Sequence, residues 1–292
     1  MRTRSPIYRF LTFTGIAYAI AWGLFLVFVI EANSLENTDA ATLITLVETG
    51  NSPATNLPSS FLYALSRVID FSFSISGIVS ILLFQGSSGI KNLWSRLDPR
   101  GIRPIIWLIA VLPLLFYGLA ASTHLLTSET VTISTMEPEL FRKLLFGLHN
   151  GLLASIFLRG AFGEEFGLRG FALPNLQIRY RDGIASFIIG ASWGLWHLPV
   201  LIGRGPIDIV LYLILVLGLS HIFTWLFTRS GGSLVPVILF HGFQNWEDGF
   251  EIMIPSLIGT DWELISSLLI LSMGIWVTVL VWRNNTSTFE KG

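Results

Sequence analysis

Two adjacent carboxylates and a guanidinium, Glu164, Glu165 and Arg169, interrupt a stretch of chain that is otherwise apolar. Two later apolar stretches each carry a histidine, His197 and His241, and Asn245 follows the second at a spacing of i,i+4. A carboxylate can take a proton from water, an imidazole can hold that water, and an amide N–H can donate to an oxyanion. These residue types suit general-base hydrolysis. Glu164, His197 and His241 would equally serve as three protein ligands to one divalent metal such as zinc, leaving water in the open position. Metal-dependent and metal-free hydrolysis both stay open at this level.

Helical spacing sorts the partners. Glu165 and Arg169 are i,i+4 in the favourable order and can form an ion pair on one face. Glu164 lies about 100° around the helix, free to meet another element. Trp193 and His197 share a face, so the indole can fix the imidazole, and His241 shares one with Asn245. Gly163, Gly167 and Gly170 allow neighbouring backbones to come close. Each piece also has a plain structural explanation. A Glu–Arg pair can be a structural lock, a histidine in an apolar helix can bond between helices, and Asn245 can be interhelical glue. His124, His149 and His221 have no patterned neighbours and read as structural. Arg67 and Asp70 (i,i+3) read as a pair, whereas the sequence names no partner for Arg159.

The elements that must position these groups are set by solvent. Of 292 residues, 52% are hydrophobic and 13% charged, against about 25% charged in an ordinary soluble domain. Mean hydropathy is +0.67. Net charge is −1, and no basic patch is interleaved with aromatics, which excludes nucleic-acid binding. Ten Trp suit aromatic belts at the headgroup level. Absence of Cys excludes disulfides, Cys-ligated zinc and thiol catalysis.

Apolar runs long enough for about 30 Å of hydrocarbon fall near 10–30, 62–84, 104–123, 143–170, 184–203, 208–228, 233–251 and 264–282. The predicted fold is all-α, a polytopic bundle of about eight transmembrane helices. The first run is too long for a signal-peptide core and reads as a retained helix. The turns Phe141 to Leu145 read as interfacial, and Ile90–Leu97 as a short amphipathic helix on the membrane surface. Charge places both termini in the cytoplasm. Lys and Arg gather in 1–9, 85–103, 171–183, 229–232 and 283–292, while 31–61, 124–142, 204–207 and 252–263 hold only Arg142 and Arg204 and are mostly acidic.

The order EExxxR, then xxxH, then HxxxN resembles the CPBP (CAAX protease and bacteriocin-processing, or Abi) family of intramembrane proteases. Here it reads Glu164-Glu165-Phe166-Gly167-Leu168-Arg169, Trp193-Gly194-Leu195-Trp196-His197 and His241-Gly242-Phe243-Gln244-Asn245. The likeness covers roughly 143–246 and resembles the catalytic-type helices of a CAAX prenyl endopeptidase. It departs at Trp193, where the family usually has Phe. It implies Glu164 as the base that activates water, Glu165 and Arg169 as its support, His197 holding the nucleophile, and His241 with Asn245 completing the oxyanion site. It divides the chain into 1–140, about three N-terminal helices with an outer loop 31–61; 141–250, the catalytic core; and 251–292, a final helix and tail. The expected protein is a multi-pass endopeptidase of the cell membrane. Its partners would be the lipid bilayer and a membrane-associated peptide or protein, with a CAAX-type prenylated tail as one case, cut near the cytoplasmic side. The alternatives are a non-catalytic scaffold or bacteriocin-immunity-type protein keeping the same fold and, less favoured, a proton or ion pathway. One tension stands. If 143–170 is a single span, Glu164 lies near its cytoplasmic end and His197 near the outer end of its own helix, so the bundle has to be strongly tilted.

Overall fold

The computed structural model describes residues 5–35, 38–48, 53–127, 142, 152–246, 257 and 262–286. Every regular element among them is helical, as hydrocarbon demands of a chain that must satisfy its own backbone polar groups. In chain order these are α1 (Pro6–Ala32), α2 (Ala40–Glu48), α3 (Ser59–Asp70), α4 (Ser72–Ser95), α5 (Pro104–Ala110), α6 (Leu112–Thr127), α7 (Ala154–Phe157) and α8 (Gly160–Gly167). A π turn, Leu168–Ala172, leads into α9 (Leu173–Gln177), followed by α10 (Asp182–Trp196), α11 (Leu198–Leu201), α12 (Pro206–Arg229), α13 (Val235–Gln244) and α14 (Trp262–Thr286).

Among the described residues α1, α4, α12 and the 264–282 part of α14 are long and apolar enough to cross a membrane. The pair α5–α6, bent by 45°, adds a fifth if it counts as one span. Their outward faces carry large apolar side chains such as Leu11, Leu26, Leu83 and Trp276, each about 60% exposed. Apolar exposure on that scale fits lipid as the surrounding solvent. Sequence signals set the ends. Pro6 opens α1, and Ser5 caps it by accepting from Tyr8 N at 3.2 Å.

The helices run between two ends. At one, Arg9 Nη1 donates to Asn175 Oδ1 (3.3 Å) and Leu234 N donates to Arg96 O (2.8 Å). At the other, Trp22 Nε1 donates to Trp196 O (3.0 Å) and the Tyr117 hydroxyl donates to Gln244 O.

Four expectations about element boundaries change. The run 62–84 is two helices. α3 ends at Asp70 and α4 begins at Ser72, with Phe71 between them outside helical geometry (φ −87°, ψ 3°), while Arg67 pairs with Asp70 at 2.9 Å and with Glu48. Those charges tie α3 to α2 at one end of the bundle and leave the crossing to α4. The loop 31–61 contains α2, capped by Asp39 Oδ1, which accepts from Thr42 N at 2.7 Å. That hydrogen bond holds the Asp39 carboxyl below its ordinary range. The run 143–170 breaks at Arg159, whose backbone is extended, and the helix restarts at Gly160 and continues to Gln177. The 90–97 segment forms the end of α4 beyond a kink at Gly86 (φ 69°). His149 and the turns at 141–145, apart from Arg142, lie outside the described residues.

Candidate active site

α8 is held against the start of α4 by backbone contact. A Cβ on Gly163 would lie 2.5 Å from Asp70 O, and one on Gly167 would collide with Phe73 O. Gly77 answers from α4, where a Cβ would lie 2.7 Å from Gly167 Cα. Small residues at spacing G-xxx-G let two helices in lipid approach this closely, so Glu164 and Glu165 project from a fixed rod.

Behind that rod lies a closed charge network. Arg169, inside the π turn, donates through Nη1 to both Glu165 oxygens (3.0 and 3.2 Å) and through Nη2 to Ser220 Oγ (3.2 Å). Ser220 Oγ donates on to Ser186 O at 2.8 Å. His241 Nδ1 donates to Glu165 Oε1 at 2.8 Å. The guanidinium also lies over the Phe223 ring at 4.8 Å and the Trp193 ring at 5.4 Å. Glu165 and Arg169 are completely buried.

In front lies a cavity of about 320 Å³ lined by Glu164, His197, Asn245, Gly160, Trp196 and Asp70, among others. Glu164 is buried, and its Oε2 has no hydrogen-bond partner among the described atoms. Gly160 leaves room for the meeting of acid and amide. A Cβ there would lie 2.7 Å from Glu164 Oε1 and 3.3 Å from Asn245 Nδ2. His197 caps α10, which stops at Trp196 because Pro199 has no N–H to continue the ladder. Its Nδ1 donates to Trp193 O at 2.9 Å, and its ring packs edge-on against Trp196 (4.6 Å) and Tyr212 (5.3 Å). A carbonyl only accepts, so this bond fixes Nδ1–H and leaves Nε2 as an acceptor. His241 likewise donates through Nδ1, to the Glu165 carboxylate.

Glu164, His197 and Asn245 thus share the cavity, while Glu165, Arg169 and His241 form the buried network beside it. Trp193 joins the two sets, with its ring 5.9 Å from that of His197 and 5.4 Å from that of His241. The predicted tilt is unnecessary. The break at Arg159 puts Glu164 near the start of its helix, at the same end of the bundle as His197 and Asn245. Among the described residues no three His, Asp or Glu side chains are grouped to hold a metal ion. As placed, Glu164, His197 and His241 do not fit a three-ligand centre. Arg159, unassigned from sequence, lines the cavity and approaches Glu48 (3.9 Å). His221 bonds two helices, its Nδ1 to Leu217 O at 2.8 Å and its Nε2 accepting from Trp282 Nε1 at 3.4 Å.

The first 140 residues contribute more than the motifs suggest. Ile44, Glu48, Ser66 and Ile69 line the cavity, and Tyr18 and Trp22 of α1 bond to Ser192 O and Trp196 O, fixing the end of α10. Nothing in the spacing of these residues marks them, because they act through tertiary contact. Tyr18→Phe is expected to destabilise the protein by about 1 kcal/mol, the net value of one hydrogen bond. Thermal unfolding in detergent should show a midpoint lower by a few degrees, with helix content unchanged.

Residues 146–246 match the family model described as Type II CAAX prenyl endopeptidase Rce1-like. A curated relative, the CAAX prenyl protease 2 of Methanococcus maripaludis, is 29% identical over 100 residues. The match covers 31% of this chain and 37% of that relative. The resemblance read from the three motifs is therefore borne out over the segment that holds them. Together with the apolar helices, it identifies a multi-pass membrane protein.

Proposed function

We propose that the chain is an intramembrane endopeptidase that hydrolyses a peptide bond in a membrane-associated protein or peptide. The observation that carries this reading is a buried carboxylate, Glu164, that lines one cavity with an imidazole acceptor, His197, and an amide donor, Asn245. Water held between the Glu164 carboxylate and His197 Nε2 attacks the carbonyl carbon, and its proton passes to Glu164. The carbonyl oxygen becomes an oxyanion that accepts from Asn245 Nδ2. The tetrahedral intermediate then collapses, the C–N bond breaks, and Glu164 returns the proton to the leaving amine. An acid and an amine result. The Glu165–Arg169–His241 network holds the second carboxylate away from this exchange and keeps α8 in place.

A prenylated CAAX tail is one substrate of the right kind, since the family description names it. Its lipid would lie in the bilayer beside the helices while the peptide enters the cavity. The test is cleavage of fluorogenic peptides, farnesylated CAAX-type and unmodified, by the purified protein in detergent. Asn245→Ala is expected to lower kcat about 10²-fold with KM little changed, because the amide is used in the transition state. No cleavage of any membrane peptide by the wild-type protein would favour the scaffold reading.

A further inference from the structure

A second cavity, of about 180 Å³, lies where α1, the end of α4, the π turn and α9 meet. Its polar lining is the guanidinium groups of Arg9 and Arg96 and the amides of Gln85, Asn92 and Asn175. No carboxylate lines it among the described residues. Local backbone choices build it. α4 bends at Gly86, whose φ of 69° and ψ of −161° suit glycine. Gln85 before the bend and Asn92 and Arg96 after it all line the cavity. Gly89 leaves room for the Gln85 amide, since a Cβ there would lie 2.8 Å from Gln85 Oε1. Beyond the bend α4 packs on the catalytic segment. A Cβ on Gly170 would lie 2.5 Å from Leu93 Cδ1, and the Trp94 and Phe166 rings are 5.6 Å apart. Gly170 and Phe171, next to Arg169 in the π turn, line the cavity too.

The charge there is unbalanced. A guanidinium has five N–H donors. Arg9 gives Nη1 to Asn175 Oδ1 and Arg96 gives Nη1 to Gly232 O, both at 3.3 Å. Arg9 Nε is buried without a hydrogen-bond partner among the described atoms. Neither arginine pairs with a described carboxylate, and Asp98, two residues from Arg96, is engaged by Arg100 at 2.6 Å. The depth is that of lipid headgroups. Arg9 lies at the start of α1 and Arg96 caps the end of α4, with the neighbouring Tyr8 and Trp94 43% and 55% exposed. Exposed Tyr and Trp gather at that level. The volume is below the roughly 300–1,000 Å³ of pockets for drug-sized ligands, and suits one small headgroup.

The geometry points to a binding site for a phosphate group, with Arg9 and Arg96 as its charge partners and Gln85 and Asn92 as amide donors. Guanidinium forks match phosphate oxygens, and basic pockets between membrane helices take phosphorylated headgroups. A phospholipid headgroup and free phosphate share this chemistry. A phosphate held here clamps α1 and α4 to the π turn that carries Arg169, while touching no group used in the proposed hydrolysis.

The test follows the thermal midpoint of the full chain in dodecyl maltoside with added phosphatidylglycerol, with diacylglycerol of the same acyl chains, and with inorganic phosphate. A ligand of the folded state raises the midpoint. Phosphatidylglycerol is expected to raise it by several degrees and diacylglycerol to leave it unchanged. An equal rise with inorganic phosphate assigns the site to the free anion, and no rise with it assigns the site to the headgroup. Arg9→Gln should lose the rise. Asn92→Asp should lose it as well, by placing a carboxylate in the cavity from an exposed position where folding is not at stake. Arg100→Gln should keep it, because that side chain is 88% exposed and lies outside the cavity. Equal rises with phosphatidylglycerol and diacylglycerol, or a full rise in Asn92→Asp, overturn the inference. If no addition shifts the wild type, bound phosphorus decides. Phosphorus carried through purification by the wild type and not by Asn92→Asp marks a site already filled, and its absence from the wild type overturns the inference. Glu164→Gln should show the same rise as the wild type, so failure of the hydrolysis reading leaves this result unchanged.

Discussion

Glu164→Gln is expected to abolish peptide-bond hydrolysis, with kcat reduced by about 10³-fold, within the range that general-base catalysis contributes. The substitution keeps the shape of the side chain and its contact with Gly160 while removing the group that accepts a proton. No hydrogen bond to Glu164 Oε2 is lost, because that atom has no partner among the described residues. Stability should therefore be kept, and circular dichroism and detergent melting should superimpose on the wild type. The measurement is kcat on any peptide the wild-type protein cleaves, with KM followed in parallel. Retained turnover would exclude Glu164 as the base and return the cluster to a structural role. Glu165→Gln is a useful contrast, since its carboxylate touches Arg169 and His241 and not the cavity.

The pairings within the site were legible in the sequence because they lie in short-range patterns. The spacing of Glu165 and Arg169 predicts the ion pair that forms, and that of Trp193 and His197 predicts the ring contact. The pairing of Arg67 with Asp70 follows the same rule. Hydropathy similarly predicts an all-helical chain built for lipid. What hydropathy cannot show is a break inside an apolar run. Leu158 and Arg159 sit among residues apolar enough to continue a helix, yet the chain leaves helical geometry there and α8 begins afresh. That break, invisible to a sliding average, decides which end of the bundle holds Glu164. The cap formed by α2 and α3 was hidden for another reason. Glu48 gains its place from Arg67 and Arg159, which are distant in sequence, and no local period records such contacts.

Arg169→Met should be the most destabilising single change in the network. Met fills much of the same space, so the effect isolates charge from volume. It would leave the Glu165 carboxylate completely buried with His241 as its remaining partner. Removing one member of a buried ion pair costs about 3–5 kcal/mol, because the other charge stays desolvated. Arg169→Lys should rescue only part of this, since an ammonium cannot bond both Glu165 oxygens and Ser220 Oγ in the fork geometry seen here. The decisive comparison is the double variant Arg169→Met/Glu165→Gln. With both charges gone, the amide oxygen can still accept from His241 Nδ1, so most of the lost stability should return. The midpoint of thermal unfolding in detergent reads all three. If Arg169→Met melts like the wild type, the pair is not what holds α8 against α10 and α12. If the double variant regains stability and still cleaves peptide, the network is shown to support the site through position alone, leaving proton transfer to Glu164.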